Sequence, residues 1–153
     1  PTYDTPALSL EEYINSRSVI ALPGDMSSQM QDKINHTEYI CDENPSGIKT
    51  IKVDFDESQK GKVIYTTAAG THTIRFGLGS TVTGELPVYG YRYAASGSWR
   101  MDNYLLIRIN IIDDEVGNVY MGLNYKDDYI TVVLKKVVEN KLGEYQGVFS
   151  GKC

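Results

Sequence analysis

The 153-residue chain is short of the residue types that most often carry chemistry: two cysteines, two histidines, one tryptophan and three phenylalanines, against twelve tyrosines. Cys41 and Cys153 lie far apart and form no Cys-x-x-Cys, so the spacing spells neither a redox motif nor a zinc knuckle. A bridge between them and two lone thiols both remain open. His36 and His72 are the only ready general bases near neutral pH. No run of about 18 apolar residues occurs, so no helix of this sequence spans a membrane. The opening "PTYDTPALSL" lacks the charged-then-apolar layout of a signal peptide. Lys and Arg number 15 against 20 Asp and Glu, a formal net charge of −5. Nucleic acid is therefore not an expected partner, because affinity for its phosphates rests on clustered cations.

What remains is the composition of one globular domain, with 41% hydrophobic and 23% charged residues. A chain of this length buries most of the surface its unfolded state exposes and needs no metal or cofactor to do so. The sequence divides at about residue 36. In 1–36, Leu10, Tyr13 and Ile14 share one helical stripe behind Ser9, and Ser9-x-x-Glu12 has capping-box spacing. After Pro23-Gly24, Met26, Met30 and Ile34 fall at i, i+4 and i+8 in "DMSSQMQDKIN", which predicts a second short helix. This part reads as a helical linker or N-terminal extension.

Over 37–153 the period changes to two. Ile51, Val53 and Phe55 alternate with Lys52, Asp54 and Asp56, the pattern of a strand with one wet face. The segments 62–68 and 71–78 flank Ala69-Gly70 as a hairpin, 103–112 and 118–125 flank "DDEVG", and 128–137 follows. Segments 38–42 and 142–151 supply opening and closing strands, and Gly79 to about Ala95 reads as irregular. Eight or nine antiparallel strands joined by tight turns predict a mainly β fold. An up-and-down barrel of about eight strands is the economical arrangement, because closure leaves no unpaired edge. A two-sheet β-sandwich is the alternative.

Ser46-x-x-Lys49, in "NPSGIKT", spells the nucleophile motif of penicillin-recognising enzymes. In those enzymes the serine starts a helix and the lysine lies one turn on. Here Pro45 and Gly47 mark a turn before a strand, where residues three apart point to opposite faces. No catalytic residue is assigned. The acidic runs 113–115 and 127–128 do not match a calcium loop and read as solvated turns, so no metal is assigned either. The densest aromatic stretch, "YGYRYAASGSW", places Tyr89, Tyr91 and Tyr93 on one face if extended. With Arg92 and Trp99 they are the candidate ligand or interface residues, while Trp99 also suits the core.

The order of features resembles the C-terminal domain appended to serine hydrolases of the β-lactamase and penicillin-binding-protein-like family. The likeness rests on Tyr39, Asn44 and Gly47 leading into the strand Ile51 to Phe55, on "FGLG" at 76–79, on Ser96-Gly97-x-Trp99 running to Leu105, and on the linker-like "ALPGD" at 21–25. It implies a lipocalin-like or streptavidin-like barrel that packs on a catalytic serine-hydrolase domain of the same bacterial parent chain, of which this sequence would be a fragment. It also implies a cell-envelope or secreted setting. None of the family's catalytic motifs has a matching position here. The expected function is thus a non-catalytic accessory domain, with a barrel that binds a small ligand or cell-wall fragment as the alternative.

Overall fold

The computed structural model describes residues 24–87, 90–112, 117–136 and 147–153. Among these residues one short helix, α1 (Gln29–Ile34), precedes ten strands: β1 (Tyr39–Cys41), β2 (Thr50–Phe55), β3 (Lys60–Thr67), β4 (Gly70–Leu78), β5 (Val82–Glu85), β6 (Arg92–Met101), β7 (Tyr104–Ile111), β8 (Gly117–Lys126), β9 (Tyr129–Lys136) and β10 (Gly147–Lys152). Nine of them form a ring in the order β4-β3-β2-β1-β10-β9-β8-β7-β6, antiparallel throughout and closed by a parallel contact of β4 with β6. The barrel expectation therefore holds, with a mixed closure that strand counting does not disclose.

Closure takes place on one edge of β6. Its other edge pairs with β7. Along the closing edge, β5 lies opposite Arg92–Ala95, β4 places Gly77 and Leu78 opposite Ser96 and Gly97, and Asp25 lies opposite Trp99. Asp25 and Trp99 exchange both backbone hydrogen bonds, at 3.1 and 2.8 Å. The stretch expected to be irregular thus holds β5 and the start of β6. It escapes the period-two pattern because β6 is buried on both faces from Tyr93 to Trp99. Small Ala, Ser and Gly side chains there replace the usual polar alternation.

Elsewhere the alternation is regular. In β7, Leu105, Ile107, Ile109 and Ile111 point inward while Leu106, Arg108 and Asn110 point out. The helix end of the barrel holds a chain of aromatic contacts: Phe76 edge-on to Phe55 (6.2 Å), then Trp99 (6.4 Å), Tyr125 (6.3 Å) and Tyr39 (5.8 Å). Such pairs each contribute about 0.5–1.5 kcal/mol beyond the area they bury. Gly61 and Gly97 leave room for Phe76; a Cβ on Gly61 would stand 2.5 Å from its ring.

α1 is shorter than the stripe Met26-Met30-Ile34 predicts, and Met26 lies outside it. The backbone of Asp25 is already paired with Trp99, which keeps the approach extended until Ser28, the N-cap, accepts a hydrogen bond from the Met30 N–H (3.1 Å). Six residues do not make a stable helix alone. Tertiary contacts fix it: Ile34 is buried, the Gln31 side chain accepts from Trp99 Nε1 (3.1 Å), and Ser28 Oγ donates to the Asp102 carbonyl. The predicted helix bearing Leu10, Tyr13 and Ile14 lies outside the described residues.

Two consequences are measurable. Gly61→Ala is expected to cost about 1–3 kcal/mol in urea unfolding through overpacking against Phe76, and Phe76→Leu in the same chain is expected to recover part of that loss. The second concerns alkali. Burial, then the charges of Cys153 and Asp128, push the Tyr39 phenol from 10.0 up to about 12, and burial likewise raises Tyr125. An unfolded phenol ionises first, so the stability these groups supply is complete below pH 10 and is lost as pH rises towards 12. Tyr39→Phe should flatten the fall in urea midpoint across that window; an unchanged slope would count against the assignment.

Candidate functional site

The structure disperses the residues that chemistry would need together. Ser46 lies in the turn between β1 and β2, where Asn44 Nδ2 donates to the carbonyls of Asp42 (2.7 Å) and Ile48 (2.8 Å), and Gly47 takes a φ of +70°. No helix starts there, and the Lys49 backbone is committed to Cys41 and Thr66. Ser46 Oγ is buried with no hydrogen-bond partner among the described residues. His72 contacts Thr67 Oγ1 through Nε2 (3.0 Å) and packs on Tyr65, while His36 Nδ1 lies 2.7 Å from Asp54 Oδ1. Among the described residues no three His, Cys, Asp or Glu side chains gather as a metal site. The acidic run 113–115 lies outside the described residues, and both thiols are free.

The tyrosine stretch is not one exposed face. Tyr89 lies outside the described residues, Tyr91 is half-buried against the core, Arg92 is exposed and Tyr93 is buried. Trp99 lies inside the barrel. Tyr93 has a defined task. β4 leaves β6 after Leu78, and among the described residues no ladder joins β4 to β5. Within this seam the Arg75 N–H donates to Tyr93 Oη at 2.8 Å. Gly84 lets the phenol pass, because a Cβ there would meet Tyr93 Oη at 2.6 Å. Burial raises the Tyr93 phenol above its usual range, opposed by the Arg75 N–H and the Arg75 charge.

Two cavities lie beside the seam. One, of about 410 Å³, is lined by His36, Asp54, Phe55, Asp56, Lys60, Gly61, Lys62, Arg75, Phe76 and Val82. The other, of about 310 Å³, is lined by Lys62, Thr73, Arg75, Thr83, Gly84, Glu85 and Tyr93. Cross-strand register sets the charges in a row, Asp54 opposite Lys62 and Lys62 opposite Arg75. Asp54 is engaged by His36. Asp56 accepts from the Ser58 hydroxyl (2.8 Å) and from the N–H groups of Ser58 and Lys60, and the Ser58 hydroxyl foremost holds its carboxyl below the usual range. Among the described residues no carboxylate lies within ion-pair distance of Lys60, Lys62 or Arg75. Sequence reasoning missed Lys62 and Arg75, because only the pairing register makes them neighbours.

Among the described residues, the middle of the barrel interior is closely packed. A side chain lining a space wide enough for water retains accessible surface, and Ile51, Val63, Ile74, Ile107, Met121 and Leu123 retain none.

The fold is that of the lipid-binding-protein barrels. A fatty-acid-binding protein from brain tissue of Drosophila melanogaster matches 78% of this chain and 99% of its own at 14% identity, with a TM-score of 0.59. Lipid binding protein 8 of Caenorhabditis elegans matches 82% and 96% at 6% identity with a TM-score of 0.60, and the fatty-acid-binding protein of Manduca sexta matches 76% and 97% at 15% identity with a TM-score of 0.53. No protein-family model and no curated protein sequence matches the chain. At these identities the likeness is one of fold. It overturns the resemblance to the C-terminal domain of β-lactamase and penicillin-binding-protein-like serine hydrolases, because the structural matches fall on lipid-binding barrels, and it leaves the serine-hydrolase parent without support. The motifs behind that resemblance have local causes: Asn44 and Gly47 build a turn, Gly97 clears Phe76, and Trp99 fills the interior.

Tyr93→Phe should leave the Arg75 N–H without its acceptor and destabilise the barrel by about 1–3 kcal/mol. Hydrogen exchange read at the Arg75 amide checks this, and protection equal to that of the parent chain would refute the role given to Tyr93.

Proposed function

We propose that this barrel is a non-catalytic binder of a small ligand, and that the ligand is a lipid of the fatty-acid kind. The observation that carries the reading is the cavity of about 410 Å³, which sets Val82 and the exposed edge of Phe55 beside Lys60, Lys62 and Arg75. Its volume falls in the range of small-molecule sites, about 300–1,000 Å³, and apolar walls with a few convergent charges are what such sites need. Two further facts support it. The fold is shared with proteins whose names record fatty-acid or lipid binding. Ser46, His36 and His72 lie apart, each with a local structural setting.

Native mass spectrometry of the delipidated chain mixed with palmitic and oleic acids tests the reading. One bound fatty acid is expected, with a dissociation constant in about the micromolar range, or roughly −8 kcal/mol. An absence of any complex, or hydrolysis of a chromogenic ester or β-lactam by the purified chain, would overturn it.

A further inference from the structure

Resting on that reading, we propose that the ligand is seated on the outer wall at the seam between β4 and β5, with a carboxylate headgroup held by Lys62 and Arg75 and its apolar chain beside Phe55 and Val82. The location follows first from space. Among the described residues, the interior side chains Ile51, Val63, Ile74, Ile107, Met121 and Leu123 leave no room for water beside them, whereas two cavities lie at the seam, and Lys62 and Arg75 line both. The two cations therefore stand at the junction.

The charge arrangement gives the second argument. Lys62 and Arg75 are directly opposite each other on adjacent strands. Like charges in that relation destabilise a sheet. Asp54 stands opposite Lys62 on its other side but lies beyond ion-pair distance and contacts His36 instead. Asp56 is occupied by its own turn. An anion placed over Lys62 and Arg75 would relieve their repulsion and make charge-assisted hydrogen bonds to both.

The lining sets the ligand's direction. The second cavity offers Thr73 and Thr83, polar groups suited to a headgroup, with Glu85 also on its lining. The first adds half-buried Val82 and the edge of Phe55 that keeps 9% exposure, an apolar surface for an acyl chain. The site favours a monoanionic headgroup, because Asp54, Asp56 and Glu85 around it repel further negative charge.

The test is displacement of dansyl-labelled undecanoic acid from the parent chain, from K62E/R75E and from K152E, together with amide chemical-shift mapping on the parent chain. Lys152 is a cation remote from the seam, over Tyr129. Affinity should fall about tenfold or more in K62E/R75E, the scale of two lost charge-assisted contacts, and hold in K152E. Lauric acid should compete, its methyl ester should not, and the largest shifts should fall at Lys62, Arg75 and Gly84. Equal affinity in K62E/R75E, or shifts centred on Ile107 and Leu123, would overturn the wall site while leaving the binding function intact. Displacement by inorganic phosphate as effective as by lauric acid would overturn the acyl-chain half. A parent chain that binds no probe at all would defeat the binding function, and the wall site with it. Should K62E/R75E fail to fold, the mapping decides.

Discussion

The closing edge of β6 is the constraint on which this structure depends. A ten-residue strand carries a row of N–H and C=O groups on each edge, and buried ones must be paired. Here no single neighbour supplies the second row. β5, the last two residues of β4 and the backbone of Asp25 divide it among them. That division forces several local features. Gly79 takes a φ of +76° as the chain turns from β4 towards β5, and Met26, one residue past Asp25, lies over it. The approach to α1 stays extended because Asp25 is engaged. The seam between β4 and β5 exists because β4 reaches β6 only at Gly77 and Leu78.

The seam would expose a backbone donor if nothing crossed it. Tyr93 is long enough to reach from β6 beneath Gly84 to the Arg75 N–H, so one phenol replaces the missing ladder bond. The wall is thereby closed by a side chain at the place where its outer surface is cleft. The close packing of the described interior residues makes the same point from within. Lipid-binding barrels share the path of this chain at 6–15% identity, yet a shared path does not impose a shared cavity, since cavity volume is set by the side chains that point inward. Here these include Trp99, Tyr125, Phe76 and a continuous set of Ile, Leu and Val.

Much of the barrel was legible in the sequence because alternation is a local signal. Ile51, Val53 and Phe55, or Leu105 through Ile111, announce a strand and its inner face without reference to any partner. Two kinds of feature were not legible. β6 is buried on both faces, so Ala94 to Ser98 show no alternation, and their small size reflects crowding that only the assembled barrel creates. The length of α1 was set by Asp25 pairing with Trp99, a contact across 74 residues, whereas the Met26-Met30-Ile34 stripe speaks only of helical period. The candidate site was invisible for a related reason. Lys62 and Arg75 look like ordinary outward charges in their own strands, and they become a pair only through the register of β3 against β4. The tyrosines drew notice by density, a property unrelated to whether a ring faces solvent or, as with Tyr93, the wall's own interior.

Register also ties the site to the core. Phe55, Gly61 and Phe76 stand in one cross-strand row pointing inward, and the adjacent row, Asp54, Lys62 and Arg75, points outward. Because the side-chain period of a strand is two, a slip of one residue would exchange the two rows, putting three charges inside and two phenyl rings in water. The inner row resists such a slip strongly: the Phe76 ring fits only where Gly61 lies opposite it, and Phe55 meets it edge-on. The same close contact that excludes a side chain at Gly61 therefore fixes Lys62 opposite Arg75. Among the described residues neither wall cation has an ion pair, so the inner row alone holds the two in place.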